Sequence, residues 1–185
     1  MANTETQVEL DALLDAILAK IAEQFSTFQT VEVYRDDRDR FSAPACLVEL
    51  TQLDAGPDDP GTGQLAVTAR FEAHLILSFR KLSAKKEIRK LTGAFSHFVH
   101  QNRWGLPVGP AQFIGAAPDD ITGFGGDDRL DQFEVWTVEW EQTVHLGSSE
   151  WAGDDTNITE VYVGYAPKIG PDHVNDYTQI TGQAT

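Results

Sequence analysis

The chain has little with which to build covalent or metal-based chemistry. It contains one cysteine, Cys46, and one methionine among 185 residues. A single cysteine excludes an intramolecular disulfide and fits a reducing compartment. The histidines are His74, His97, His100, His145 and His173. Only His97 and His100 stand at i, i+3 on a predicted helix, and no HExxH, CxxC or His-x-His spacing completes a ligand set. No metal and no cofactor are therefore expected. The loop GFGGDD, residues 123 to 128, matches neither GxxxxGK[ST] nor GxGxxG, so it is no phosphate cradle. Asp127, Asp128, Asp131 and Glu134 lack the DxDxDG order of a calcium loop. No GxSxG elbow occurs, and Cys46 sits in an apolar run where a thiol serves as a small hydrophobe.

Basic charge is also scarce. There are 14 Lys and Arg against 29 Asp and Glu, a net charge of −15. Tight binding to nucleic acid draws on Lys and Arg that displace condensed counterions, so this balance argues against it. No apolar run of about 18 residues is present, which argues against a membrane-spanning helix. The first residues, MANTETQVEL, have neither a basic start nor an apolar core, so no secretion signal is expected.

What is present is hydrophobic periodicity. A chain of this size buries about 70% of its unfolded surface and needs no cross-link to hold a core. Leu10, Leu13, Leu14, Ile17, Leu18, Ile21 and Phe25 recur at helical spacing and predict a helix from Val8 to Phe25, with Thr6 as N-cap. Short strands follow at Thr30–Tyr34 and Pro44–Thr51, separated by the mixed-charge turn 35–40. Residues 54–63 are dense in turn formers. From Gln64 to Arg80, eight consecutive odd positions are apolar. Gln64, Thr68, Arg70, Glu72, His74, Ser78 and Arg80 dominate the other face, which predicts a long strand. Ile88, Leu91, Phe95, Phe98 and Val99 predict a second helix over Ser83–Arg103. Lys85, Lys86, Arg89 and Lys90 crowd its start, where basic charge opposes the helix dipole. A partner surface or neighbouring carboxylates such as Glu87 would each explain that.

A short strand at Gln112–Ala116 and an acidic, glycine-rich loop, 117–131, lead to a second long strand, Phe133–Gly147. Trp136, Val138, Trp140, Val144 and Leu146 share one face, interrupted by Gln142. Thr137, Glu139, Glu141, Thr143 and His145 share the other, which reads as a solvated outer face. The two long strands, of 17 and 15 residues, would each reach roughly 50 Å at about 3.3 Å per residue. A compact domain of this size is only about 40 Å across. The expectation is that they project as a ribbon whose open edge another subunit covers. Beyond residue 147 the texture turns rich in Gly, Asp and Thr, with strand character only at Ile158–Gly164. This segment is either disordered or an arm that docks on a neighbour through Trp151, Tyr162, Tyr165 and Tyr177.

The pattern predicts an α+β fold with a mostly antiparallel sheet, two long strands and two amphipathic helices. The expected division is a domain over 1–147 and an extended arm over 148–185. The order of N-terminal helix, short strands, long strand, helix and final strand ending VEWEQTVHLG resembles the tail terminator family of long-tailed bacteriophages, over about residues 8–147. That resemblance implies a structural virion protein of the tail and neck, assembled in the host cytoplasm. It implies a hexameric ring that caps the tail tube, neighbours among tube, sheath and neck or connector proteins, and no enzymatic activity. An acidic ring would let DNA pass without sticking. Expected interface residues are Arg70, Glu72, His74, Glu139, Glu141, Trp151, Tyr162, Tyr165 and Tyr177, together with the 54–63 and 117–131 loops. Competing readings are another neck component, a host-encoded secretion-tube component, or a metal- or carboxylate-dependent hydrolase using Glu139, Glu141, His145 and the acidic loop.

Overall fold

The N-terminal periodicity becomes α1, Leu10–Gln24, whose Leu13, Ile17 and Ile21 are fully buried. These features belong to a computed structural model that describes residues 7–34, 42–56, 61–78, 83–118, 133–150 and 161–180. The expected cap, Thr6, lies outside them. Glu9 occupies the N-cap position and makes no side-chain capping bond. Its charge still suits the positive end of the helix dipole.

Four-residue β1, Thr30–Val33, pairs in parallel with β2, Ala45–Ala55. Strand β2 runs four residues further than its apolar segment predicts. Its second half, Thr51–Ala55, is exposed and is held by antiparallel pairing with β3, Leu65–Ser78. Ladder hydrogen bonds decide the strand there, not side-chain burial. Helix α2 covers Ala84–Val99 and buries Ile88, Phe95 and Val99. It stops four residues short of the expected Arg103. Gln101 and Trp104 take left-handed backbone angles, φ 66° and 58°, which end the helix. Then come β4, Gln112–Pro118, and β5, Phe133–Leu146.

The sheet order is β1-β2-β3-β5-β4. The two long strands pair with each other along their whole length, from Leu65 opposite Leu146 to Ser78 opposite Phe133. Each has a second neighbour, β2 beside β3 and β4 beside β5. This corrects the expectation of a projecting ribbon. The two strands lie inside the sheet, with β3 flanked over Val67–Ile76 by β2 and β5 flanked over Trp136–Glu141 by β4, and their length calls for no outside subunit.

One face of this sheet carries the core. Cys46 and Val48 from β2, Val67, Ala69, Phe71, Ala73 and Leu75 from β3, and Val138, Trp140 and Val144 from β5 form one buried cluster. The inward residues of α1 and α2 belong to the same cluster, so both helices pack on that face. Phe71 and Trp140, directly opposite in register, stack with ring centroids 5.5 Å apart. Cys46 is fully buried, and burial pushes its thiol pKa up, so it behaves as a small hydrophobe.

Gln142, the interruption in the apolar face of β5, is 1% exposed. Its Oε1 accepts from Trp104 Nε1 at 2.8 Å and its Nε2 donates to the Gly109 carbonyl at 2.5 Å. The residue therefore pins the chain leaving α2 beneath the sheet. Gly109 approaches β5 closely: its N–H donates to Thr143 O at 2.8 Å, and a Cβ would meet Thr143 Cβ tightly, at 3.1 Å.

Contacts divide the chain into two units, Met1–Ala152 and Gly153–Thr185. In the second, β6 (Val161–Val163) pairs antiparallel with β7 (Thr178–Ile180), and a 3-10 turn spans Pro171–Asp176. Tyr177 packs within this unit: its ring lies 2.7 Å from where a Cβ on Gly164 would stand, and its hydroxyl accepts from the Gly170 N–H at 2.9 Å. Among the described residues no helix is long and apolar enough to cross a membrane.

Candidate functional site on the open face of the sheet

Strand side chains alternate between faces, so the residues between the core positions point away from both helices. Register then arranges them in rows across β2, β3, β5 and β4. The first row is apolar and buried, with Ala45 opposite Ile76, and packs with Tyr34, Phe133 and Val135. Next come Leu47, His74 and Thr137, then Glu49, Glu72, Glu139 and Gly115, then Gln52, Arg70, Glu141 and Gln112. A bulge in β2 between Leu50 and Gln52 and another in β4 between Phe113 and Gly115 keep the outer strands in phase with this order.

Five of the expected interface residues, Arg70, Glu72, His74, Glu139 and Glu141, therefore meet on one surface. They are not alike. Arg70 and Glu141 form a half-exposed ion pair with N···O 3.6 Å, the kind of pair that adds at most about 1 kcal/mol. His74 is 5% exposed. Its Nδ1 lies 3.0 Å from Thr137 Oγ1 and its Nε2 3.0 Å from Glu49 Oε1. The Tyr34 ring stands 5.1 Å from the imidazole, centroid to centroid. Of the polar face of β3, this stretch is thus the enclosed part, while Thr68, Arg70 and Glu72 are half-buried.

Glu49, Glu72 and Glu139 form a run of three carboxylates at directly paired positions on adjacent strands. Like charges placed opposite one another in a sheet are unfavourable. Glu49 was not singled out in the sequence. The signal available was a lone acid in the apolar run ACLVEL, but its neighbours come from residues more than twenty positions away, and only register reveals them.

The acid/base alternative gains no support from this geometry. His145 is four residues along β5 from Glu141, roughly 13 Å at about 3.3 Å per residue, and six from Glu139, so the three do not converge. Of the acidic loop expected over 117–131, Ala117 and Pro118 instead end β4, and residues 119–131 lie outside the described residues, as do Trp151 and residues 57–60. In the second unit Tyr162 and Tyr165 are exposed, at 51% and 78%, whereas Tyr177 is half-buried and braces its own turn. His97 and His100 are exposed on and just beyond the end of α2. Lys85, in the basic start of α2, meets Glu134 at 3.8 Å, so at least one of those charges is met by a carboxylate of the same chain.

Among the described residues, one group of side chains could hold a cation: Glu49, Glu72 and His74 each offer a ligand atom, all within 4.8 Å of one another. No protein-family model and no curated protein matches this chain.

Proposed function

We propose that this chain is a structural assembly protein of a long bacteriophage tail, a tail terminator that forms a homo-oligomeric ring on the tail tube and joins it to the neck. The reading rests on the element order and final-strand texture that resemble that family. The observation that carries it is the asymmetry of the sheet. Both helices cover one face, and neither covers the other. Around the sheet, Leu53, Leu65, Phe113 and Ile114 stand 40–62% exposed. Phe113 and Ile114 lie on β4, an edge strand. Large apolar side chains on an edge strand suit contact with another subunit, and an unpartnered edge invites pairing. The interface is therefore placed at the β4 edge and the uncovered face of the sheet rather than on projecting strands.

The net charge of −15 suits a ring that DNA traverses without adhering. Light scattering coupled to size exclusion, followed by negative-stain imaging, tests the reading. A closed ring is expected, with Ile114→Glu shifting the population toward smaller species while the monomer stays folded. A strict monomer at every concentration, or a ring with a basic lumen, would overturn it.

A further inference from the structure

The open face contains more than the acidic row. It holds a buried imidazole whose orientation is fixed from the side opposite the carboxylates. Thr137 Oγ1 lies 3.0 Å from His74 Nδ1, and the Tyr34 ring packs against the imidazole at a 46° tilt. Nε2 lies 3.0 Å from Glu49 Oε1, a carboxylate oxygen that can only accept, so without an ion Nε2 donates to Glu49 and Nδ1 accepts from the Thr137 hydroxyl. An ion at Nε2 would take the place of that proton, and Nδ1–H would then donate to Thr137. That is the tautomer and the outer hydrogen bond that a metal-ligating histidine uses. Hydroxyl, imidazole and carboxylates thus form two successive layers, delivered by β5, β3 and β2 in turn.

We propose that Glu49, Glu72 and His74 form a binding site for a divalent transition-metal ion, with Thr137 positioning the imidazole. At a tetrahedral ion, bonds of about 2.0–2.2 Å to nitrogen and oxygen place ligand atoms about 3.3–3.6 Å apart. The three atoms here lie within 4.8 Å of one another and the His74–Glu49 pair is already at 3.0 Å, so a side-chain rotation of about 1 Å at the half-buried Glu72 brings the set to coordination distance. One imidazole with two carboxylates suits zinc-like ions, whereas magnesium keeps to oxygen ligands and its own water. A doubly charged ion also offsets the like-charge row that includes Glu139. The Glu49 side chain is 31% exposed, so an ion is reached from solvent without opening the core. The site would stand whether or not the chain assembles into a ring.

Calorimetric titration of the chelator-stripped full chain with Zn²⁺ tests this. One high-affinity site per chain is expected, with a zinc-dependent rise in Tm and a much weaker response to Mg²⁺. Glu72→Gln and His74→Gln should each abolish the site. Thr137→Val should weaken it by about 10–100-fold, the usual loss when an outer hydrogen bond to a ligating histidine is removed. Because His74 is buried, circular dichroism accompanies each variant, and Glu72→Gln at a half-exposed position serves if His74→Gln does not fold. His97→Gln combined with His100→Gln should leave the titration unchanged. The proposal is overturned by a wild-type chain that takes up no zinc, or by binding that survives Glu72→Gln. Binding lost with the His97 and His100 changes, or an equal response to magnesium, would overturn it too.

Discussion

At one level of the sheet, Phe71 stacks on Trp140 beneath the helices; one residue further along the same two strands, Glu72 stands opposite Glu139 on the other face. Both pairs belong to one unbroken antiparallel ladder, so the contrast lies chiefly in what side chains add. On the covered face they exclude water and hold the helices. On the open face they set three carboxylates side by side next to the His74 imidazole. A sheet can tolerate such a row because the covered face supplies most of the folding free energy. The prediction that breaks this comparison hardest is Trp140→Ala. Removing a fully buried indole should cost about 3–5 kcal/mol, read as a fall in the urea midpoint. A loss under about 1 kcal/mol would mean that the helices do not depend on this layer.

Gln142→Leu probes a polar intrusion on the covered face. Leucine fills similar space but leaves the Trp104 indole N–H and the Gly109 carbonyl without their partner. Burying such groups unsatisfied costs about 1–3 kcal/mol, again measured by urea denaturation. A neutral or stabilising change would show that water reaches the segment after α2, and that Gln142 is not what pins it there.

The two faces also differ in how far the sequence disclosed them. Period-two alternation made the long strands legible, and helical spacing did the same for Leu13, Ile17 and Ile21. Both signals are local. Register is not local: nothing in the composition of β3 and β5 says that they lie side by side, and the inference of projecting ribbons failed for that reason. Helix ends were obscure where the backbone rather than the side chain decides, as at Gln101 with its φ of 66°. On the open face, Arg70, Glu72, His74, Glu139 and Glu141 were visible as polar positions. The sequence could not say that Arg70 meets Glu141 or that His74 is enclosed. Glu49 went unremarked because its meaning depends on Glu72 and His74, which are brought to it by strand pairing.

The smallest expected effect is also the one that best separates a surface selected for stability from one selected for another task. Glu139→Gln keeps the size of the side chain and removes one of three facing charges. If Glu49, Glu72 and Glu139 repel one another without an ion present, the chelator-treated variant should be more stable than the wild type. The gain should be about 0.2–1 kcal/mol, the scale of cross-strand pairs. In a chain of this length that corresponds to a rise in Tm of at most about 4 °C. The gain should shrink at high salt, because half-exposed charges are screened. It should shrink further with zinc, because a bound cation removes the repulsion that the substitution relieves. A loss of stability in chelator would mean that Glu139 is held by favourable contacts of its own, and that the row is part of how the sheet is built.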